Sequence, residues 1–324
     1  MTGLFLSHAG LNRWTPRATW ILLLAANAPD IDIVTAPFGS LNYLHYHRHL
    51  THALIFAPLL AIATVLTVRL LGRKPLPWLP AILAALIGVL SHLLLDLTNV
   101  YGVRIMLPFS AHWYRWDITN VVDLWIWAVL LLSLLGPLVA KLVNSEIGAK
   151  SRNPYPGRGF AIFALVFLAI YSFGRFVLHD RATAILDARV YGGSAPVRVA
   201  AFPGPANPLL WRGLAETSDA YHLFELNLLR PFDPAGGQVF LKAVRTPAID
   251  AANRTATFRE YLTFPQFPLW RALPAPDLEG GTRVEVMDLR FGTPLSPGFV
   301  CTAILDGQLR VIRSWFQFGT PSPR

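Results

Sequence analysis

Four long apolar stretches constrain what this chain can fold into more than any other feature of its sequence. They cover Ala53–Leu71, Leu79–Leu97, Val121–Val143 and Phe160–Leu178. A helix that crosses a membrane needs about 20 consecutive, mostly apolar residues, and the stretches are close to that length. Charged residues within them are few and lie near the ends. The sequence therefore predicts an α-helical integral membrane domain with about four transmembrane helices.

A fifth apolar stretch, Ala18–Ala28, is bounded by prolines. Pro16 is typical of the first position of a helix, where its fixed backbone angle is already helical. Pro29 favours a helix end at the residue before it, since α geometry is disfavoured there. About 13 residues at 1.5 Å each reach roughly 20 Å, which is short for a span. We predict a short N-terminal helix that is interfacial or re-entrant.

The chain changes character near residue 180. Residues 1–179 hold 13 Lys and Arg against 6 Asp and Glu, whereas residues 180–324 hold 15 against 13. The second part contains roughly alternating runs bounded by Pro, Gly, Asn and Asp, which is typical of strands. We predict a helical membrane domain with the metal site over 1–179 and an antiparallel β-rich soluble domain of about six strands over 180–324. The predicted elements of this domain are a short helix near Asp180–Ala188 and strands that include Tyr221–Leu229, Thr255–Phe264, Thr282–Leu289, Phe299–Leu305 and Leu309–Phe316.

Short loops rich in Lys and Arg give the expected orientation, because such loops face the cytoplasm. Two loops carry most of these residues, which are Arg69, Arg73 and Lys74 near 69–77, and Lys141, Lys150, Arg152 and Arg158 near 141–158. The loop over 99–120 carries fewer. The pattern predicts a multi-pass protein of the inner (cytoplasmic) membrane whose β-rich domain is extracytoplasmic.

Composition excludes several kinds of site. Cys301 is the only cysteine, so disulfide frameworks, Cys-based zinc fingers and iron–sulfur sites are excluded. The isoelectric point is near 10.0, but no basic run is longer than Arg73-Lys74, and no basic face interleaves with aromatic residues. We therefore expect membrane lipids, and not nucleic acid, as partners.

Seven of the nine histidines lie within residues 1–112. Imidazole and carboxylate are the expected ligands of zinc and related cations where cysteine is absent. His92 and Asp96 are four residues apart in an apolar helix and share one face of it. Ionisable groups inside a span are costly and usually mark a functional site. The alternative is a buried His–Asp hydrogen bond that only orients the helices.

Three further candidates precede the first predicted span. Asp30 and Asp32 follow the short helix directly, where a turn presents one or both carboxylates. His8 is a lone histidine in an apolar N-terminal segment. If the stretch Ala18–Ala28 does not cross the membrane, His8 lies on the same side as the other candidates.

A dense run of histidines stands just before the first span. If a helix begins at His45, then His45, His49 and His52 share one face. If the chain turns first, His47 and His52 point inward together. Arg48 is suited to hold a phosphate bidentately and to stabilise charge in a transition state.

These segments resemble a family of membrane-bound metal-dependent hydrolases that includes the LexA-regulated inner-membrane proteins. The matching segments are Ala28–Asp32, His47–His52, Ser91–Asp96, and Thr98 with Tyr101-Gly102 and Leu107–Phe109, and His8 matches an upstream histidine. The resemblance covers roughly residues 1–125. His49 stands where glycine is common and Ala53 where serine is common, so the choice among the histidines stays open. The ligand order is also similar to that of zinc-dependent phospholipases C.

We expect zinc as the cofactor, with manganese as the alternative. The predicted ligands are His8, Asp32, His47, His52, His92 and Asp96, and the predicted catalytic residues are Asp30 and Arg48. The expected function is hydrolysis of a phosphoester or lipid-linked substrate at the outer membrane interface. The alternatives are a metal or proton transporter, since intramembrane His and Asp line such pathways, and a membrane anchor that presents the β-rich domain to a partner.

Overall fold

The computed structural model describes residues 1–72, 75–148 and 157–319. Four predicted loop cations, Arg73, Lys74, Lys150 and Arg152, lie outside these ranges. The described chain forms a bundle of helices followed by two antiparallel β-sheets. The predicted fold class is therefore confirmed.

The first part of the described chain is helical. Its α-helices are α1 (Thr2–Ala9), α2 (Ala18–Ala25), α3 (Ser40–Tyr46), α4 (Ala57–Leu71), α5 (Trp78–Thr98), α6 (Leu124–Glu146) and α7 (Arg158–Asp187). Shorter 3-10 helices lie at Leu11–Arg13, Pro29–Phe38, Leu50–His52 and Leu54–Phe56.

Among the described residues, four helical segments are long and apolar enough to cross a membrane. They are Leu54–Leu71, Trp78–Thr98, Leu124–Glu146 and Arg158–Asp187. Between 11% and 33% of the most apolar window of each is buried within the protein. Most of their apolar surface is therefore left for lipid, as a spanning helix requires. A fifth candidate arises if α2 and the 3-10 helix Pro29–Phe38, which meet at a bend of 48°, are counted as one span.

The helices α1 and α2 form an antiparallel hairpin that packs into the bundle. Ser7 Oγ and Thr19 Oγ1 lie 2.7 Å apart near its turn. The hairpin approaches α5 so closely that a Cβ on Gly88 would lie 2.8 Å from Ala25 Cβ. The helix predicted over Ala18–Ala28 is thus held among other helices. Counted together with the 3-10 helix that follows it, α2 has the bent form of a broken span or a re-entrant loop.

The second part contains two four-stranded antiparallel sheets, with strand orders β1-β2-β3-β4 and β5-β6-β7-β8. The first sheet consists of β1 (Arg198–Pro203), β2 (Leu210–Glu216), β3 (Ala220–Asn227) and β4 (Gln238–Leu241). After the helices α8 (Pro247–Asn253) and α9 (Ala256–Tyr261), the second sheet consists of β5 (Pro268–Pro274), β6 (Thr282–Asp288), β7 (Phe299–Leu305) and β8 (Val311–Phe318). The sheets pack on each other through a shared core that includes Phe202, Phe267 and Met287.

Two predictions for this domain are wrong, and a third is right only in part. The described residues form eight strands and not about six. The segment Thr255–Phe264 is helical, because Thr255 Oγ1 accepts a hydrogen bond from Phe258 N at 3.2 Å and caps α9. The segment Asp180–Ala188 is helical as predicted up to Asp187, but it is the end of α7 and not a separate short helix.

The two ends of the bundle carry different structures. At one end, Arg158 Nε at the start of α7 donates to Ala9 O, and Arg17 Nη1 donates to Val68 O near the end of α4. At the other end, the first backbone N–H of α6 donates to the loop between β1 and β2. The described helix ends next to the two predicted cationic loops therefore lie together, opposite the β domain.

The β domain is fixed to the loop between α5 and α6 by hydrogen bonds. The buried Arg290 donates from Nη1 to Val100 O and Tyr101 O at 3.0 and 3.1 Å. Trp113 Nε1 donates to Thr263 O at 2.8 Å. These contacts place the second sheet directly beside the residues that follow α5.

Candidate metal centre

Two histidines and two aspartates from three separate segments converge near the β domain. His92 and Asp96 lie on one face of α5, His52 lies in the 3-10 helix before the first span, and Asp30 lies in the 3-10 helix after α2. His52 Nε2 lies 3.3 Å from His92 Nε2 and 3.2 Å from Asp96 Oδ2. Asp30 Oδ1 lies 3.6 Å from His52 Nε2 and 3.5 Å from His92 Nε2. We refer to these four residues as the His/Asp cluster.

The spacing within the His/Asp cluster fits a small divalent cation. A zinc–nitrogen bond of about 2.0–2.1 Å puts the ligands of a tetrahedral site about 3.3 Å apart. The distances in the cluster that involve a histidine run from 3.2 to 3.6 Å. Two imidazoles and two carboxylates are a donor set that suits zinc, and oxygen ligands also suit manganese. Among the described residues, the ligand atoms of Asp30, His52 and His92 all lie within 4.8 Å of one another, and Asp96 Oδ2 joins this group through its contacts with the two histidines. This donor set fits either ion.

The second nitrogen of each cluster histidine has a partner behind it. His92 Nδ1 donates to Ala26 O across 2.9 Å. His52 Nδ1 lies 3.4 Å from Asp32 Oδ2 and 3.1 Å from Thr51 Oγ1. A proton on Nδ1 leaves the lone pair of Nε2 directed into the cluster. Metal-binding histidines are usually oriented in this way.

Asp96 uses its two oxygens differently. Oδ1 lies 2.8 Å from Arg48 Nη2. Oδ2 is buried and has no hydrogen-bond donor in the described part of the chain, although it lies 3.2 and 3.3 Å from the Nε2 atoms of His52 and His92. A buried carboxylate oxygen without a donor costs free energy. A cation bound between these atoms would remove that cost.

Asp30 closes the open side of the His/Asp cluster. Its side chain is 52% exposed, whereas those of the other three residues are 13% exposed or less. Burial alone would lower the pKa of His52, but the negative charges of the nearby Asp30 and Asp96 carboxylates outweigh burial, so the pKa of His52 is raised above its ordinary value. The two carboxylates therefore favour positive charge at this point.

Asp32 and His47, two predicted ligands, lie behind the His/Asp cluster. Asp32 Oδ2 accepts a hydrogen bond from Arg48 N at 2.8 Å, and Asp32 Oδ1 lies 3.3 Å from His47 Nδ1. Asp32, a predicted ligand, thus lies behind the histidines, whereas Asp30, predicted to be catalytic, lies beside their Nε2 atoms. In a 3-10 helix of three residues per turn, side chains two residues apart point in different directions, so Asp30 approaches the Nε2 side of His52 while Asp32 approaches its Nδ1 side.

The structure does not bring His8, a predicted ligand, to the His/Asp cluster. His8 is exposed near the end of α1, and the carbonyl of the next residue, Ala9, accepts from Arg158 at the far end of the bundle. The helix begins beside the cluster, since Met1 and His92 line the same cavity. His8 lies far from the cluster because α1 runs away from it and the α1–α2 hairpin turns at the end of the bundle opposite the β domain.

The alternative histidines, His45 and His49, face the β domain. His45 Nδ1 is in close contact with Glu260 Oε1, and the ring of His49 stacks on His45 at 5.5 Å. The helix α3 ends at Tyr46, so the continuous helix that would align His45, His49 and His52 does not form. Neither alternative belongs to the group of closely spaced ligand atoms found among the described residues.

Two residues outside the predicted site hold Arg48 in place. Asn99 Oδ1 and Gly102 O accept hydrogen bonds from Arg48 Nη1 at 3.0 and 3.1 Å. Gly102 has a φ of 86°, a backbone conformation that favours glycine. The sequence signal that could have identified Gly102 was its place in the Tyr101-Gly102 segment of the family resemblance. Both terminal nitrogens of Arg48 are thus occupied, Nη2 by Asp96 and Nη1 by Asn99 and Gly102. Arg48 therefore positions Asp96, and these contacts do not support the predicted phosphate-binding role.

Two cavities adjoin the His/Asp cluster. A cavity of about 260 Å³ is lined by polar residues, which include Arg48, His92, Asp96 and Asp123, and on one side by apolar side chains of α5 and α6. A larger cleft of about 670 Å³ lies between the helical bundle and both sheets. Arg48, Asn120 and Val121 line both. The cluster is therefore reached from the spans on one side and adjoins the β domain on the other.

Comparisons with known proteins match the helical part of the chain. The sequence profile described as "YdjM inner membrane protein" matches residues 1–182. An uncharacterized protein, YfhP of Bacillus subtilis (strain 168), is 31% identical over 101 residues, which is 31% of this chain and 31% of that protein. The match thus spans about a third of this relative. No solved structure matches the chain significantly.

Proposed function

This chain belongs to the YdjM inner membrane protein family, and we propose that it is a membrane-bound, metal-dependent hydrolase. The His/Asp cluster would hold one divalent cation, with zinc expected first and manganese as the alternative. The observation that carries the proposal is Asp96 Oδ2, which is buried without a donor and lies 3.2 and 3.3 Å from two histidine nitrogens. Two Nε2 atoms and a carboxylate oxygen in this arrangement satisfy a cation better than they satisfy one another.

A divalent cation held there would supply Lewis acidity, which acidifies water and stabilises negative charge on a phosphoryl or acyl oxygen. The chain's own residues prepare the site for that chemistry. Ala26 O and Asp32 fix the Nδ1 sides of the two histidines. Arg48 balances the charge of Asp96. Preorganised ligands of this kind do not need to rearrange during a reaction.

Asp30 is the residue placed to accept a proton. Its side chain is 52% exposed, so water reaches it, while its Oδ1 remains 3.5 Å from His92 Nε2. A carboxylate at the rim of such a site can take the proton of an attacking water as a general base. This role agrees with the catalytic assignment expected for Asp30 from the sequence and adds a contact with the cation.

A phosphoester or lipid-linked substrate suits the position of the His/Asp cluster. The cavity of about 260 Å³ runs from His92 and Asp96 to Leu95, Ile126 and Leu130 of the spanning helices α5 and α6. An amphiphile in the bilayer could place its apolar part among these side chains and its ester beside the cluster. We expect this end of the bundle to face the extracytoplasmic side.

The expected orientation follows from the distribution of cations. Arg69 lies in the last turn of α4, Lys141 near the end of α6, and Arg158 at the start of α7, at the end of the bundle away from the β domain. Lys and Arg near span ends favour the cytoplasmic side. Protease added to intact spheroplasts is expected to digest the β domain, and full protection of that domain would reverse the orientation.

Metal analysis of the purified full chain tests the cofactor. We expect near-stoichiometric zinc or manganese in the wild type and its loss in His52→Ala, His92→Ala and Asp96→Asn, with thermal unfolding curves showing that each variant still folds. His112→Ala, which changes an exposed histidine outside the cluster, is the matched control and should keep the metal. Wild-type protein that stays metal-free in excess zinc and manganese would overturn the proposal.

Turnover tests the reaction itself. The metal-loaded protein in phospholipid nanodiscs is expected to hydrolyse bis(p-nitrophenyl) phosphate or a short-chain phospholipid. Chelation should abolish that activity, and added metal should restore it in the wild type but not in His92→Ala. If the protein binds metal but turns over no phosphoester, carboxylic ester or lipid-linked substrate, the metal site is supported and the proposed hydrolase activity is contradicted.

A further inference from the structure

The cleft of about 670 Å³ is built jointly by the two parts of the chain. The helical part contributes Tyr43, His47 and Arg48, and the loop after α5 contributes Tyr101. The first sheet contributes residues from Phe202 to Pro205 together with Arg212, and the second sheet and its connecting loop contribute Phe291, Phe299 and Phe318. The cleft begins at Arg48, which bonds the cluster residue Asp96. A molecule that reacts at the His/Asp cluster could therefore extend from there under the β domain.

The charge of the cleft has one sign. Its described lining contains three arginines and no aspartate or glutamate. Two of the arginines are neutralised locally, since Arg48 is paired with Asp96 and Arg290 with Asp288 at 2.7 Å. Arg212 is the third, and it forms no ion pair with a carboxylate of the described chain. The three arginines of the cleft are thus balanced by two carboxylates, Asp96 and Asp288, which leaves one positive charge in excess.

The negative charge nearest in effect to Arg212 is that of Asp288, which also pairs with Arg290 and so serves two arginines. Arg212 Nη2 donates to a neutral acceptor, Arg290 O, and the Arg212 guanidinium lies 5.5 Å from the ring centroid of Phe202. Both oxygens of Asp288 are already bonded, Oδ1 by Arg290 N and Oδ2 by Arg290 Nε and Gln266 N. Glu225 lies opposite Arg212 in the register of β2 and β3, but the two side chains form no ion pair.

The walls of the cleft are mostly aromatic. Phe202 is buried, Phe291 and Phe299 are in contact at 4.4 Å between centroids, and Phe299 and Phe318 meet edge to face at 5.0 Å. Ligand sites are usually apolar with a few polar groups that fix orientation, and a volume of several hundred Å³ is typical of them. The matching ligand combines apolar surface with an anionic group that Arg212 can bind bidentately.

We propose that the β domain binds the non-reacting part of the substrate in this cleft, and that Arg212 is the residue that recognises a phosphate group there. This inference rests on the proposed hydrolase function only where it calls the bound ligand a substrate. It also gives the β domain, which lies beyond the matched residues 1–182, a role in specificity. The phosphate could belong to a lipid headgroup or to a soluble phosphate, and the two sources are separable by experiment.

Binding to the full chain in neutral phosphatidylcholine nanodiscs tests the proposal, with a chelator present so that no cation contributes. The probes are dihexanoyl phosphatidic acid, dihexanoylglycerol with the same chains but no phosphate, and inorganic phosphate. We expect Arg212→Met to weaken binding of the phosphatidic acid by about 10- to 100-fold, the range for a charge-assisted hydrogen bond. Arg212→Lys should retain part of the affinity, because lysine keeps the positive charge but lacks the planar guanidinium that binds a phosphate through two hydrogen bonds.

The control is Arg254→Met, which removes the same charge from an exposed position in the β domain outside the cleft and should leave binding unchanged. Phosphatidic acid binding much tighter than phosphate would assign the site to a lipid headgroup, and equal binding would assign it to a soluble phosphate. Equal binding of dihexanoylglycerol and phosphatidic acid, or wild-type binding by Arg212→Met, would overturn the proposal. Because the cation is absent throughout, failure of the hydrolase and failure of the phosphate site remain distinguishable.

Discussion

Arg48 Nη2 lies 2.8 Å from Asp96 Oδ1, and the other oxygen of the same carboxylate faces His52 and His92. One oxygen of Asp96 is therefore anchored while the second is left for a cation. Two further hydrogen bonds fix Arg48: its backbone N–H donates to Asp32 Oδ2, and its Nη1 donates to Asn99 Oδ1. The pair links the segment before the first span to α5, and it fixes the geometry of the His/Asp cluster.

Arg48→Met is expected to destabilise the protein by about 3–5 kcal/mol, because it leaves the buried carboxylate of Asp96 without its partner. Metal affinity should fall as well, since Asp96 loses its orientation. Thermal unfolding in detergent and metal titration measure the two effects. Arg189→Met, at an exposed position after α7, should change neither. An Arg48→Met protein as stable as the wild type would contradict the buried pair.

Asp32→Asn is expected to lower metal affinity by about 10- to 100-fold without abolishing binding, as is usual when the group behind a histidine ligand is changed. The reason is that Asp32 contacts His52 Nδ1 and not the face of the cluster. Competition titration with a zinc chelator measures the change. Asp277→Asn, on an exposed loop, is the charge-matched control. If Asp32→Asn lost the metal as completely as His52→Ala, Asp32 would be a ligand.

Gly88→Ala is expected to destabilise the bundle by about 1–3 kcal/mol, because overpacking a tight contact forces helices apart. The added Cβ would lie 2.8 Å from Ala25 Cβ and 3.2 Å from Leu22 O. Movement of α2 would also weaken the bond from His92 Nδ1 to Ala26 O, so metal affinity should decrease. The matched control is Gly174→Ala in α7, where the added Cβ has no neighbour within 4 Å. Stability there should stay equal or rise, and equal effects at both sites would reject the packing argument.

Arg290→Met is expected to loosen the β domain from the bundle. Arg290 donates to Val100 O, Tyr101 O and Phe264 O and pairs with the buried Asp288, so its removal takes a donor from four acceptors. Backbone hydrogen exchange over residues 99–104 should increase, and the unfolding temperature should drop. Arg254→Met provides the exposed control. Unchanged exchange in Arg290→Met would show that other contacts fix the domain.

Helices and strands whose formation depends on residues close together in the chain were predictable from the sequence. The stretch Leu79–Leu97 became α5 over Trp78–Thr98, and the strand predicted at Phe299–Leu305 has those bounds in the structure. Hydropathy over about 20 residues and alternation over a strand are local properties. The prediction at Thr255–Phe264 failed because a capping side chain, not the apolar pattern, decided the helix.

By itself, the sequence determined that this is a membrane protein with four long spans and a β-rich second part, and that His92 and Asp96 share a helix face. Each of these follows from residues close together in the chain. Only the tertiary structure decided that Asp30 and not Asp32 meets the Nε2 atoms of His52 and His92, and that His8 lies at the far end of the bundle. Those outcomes depend on how the α1–α2 hairpin packs against α5, and contacts between segments so distant in the chain leave no periodic signal in it.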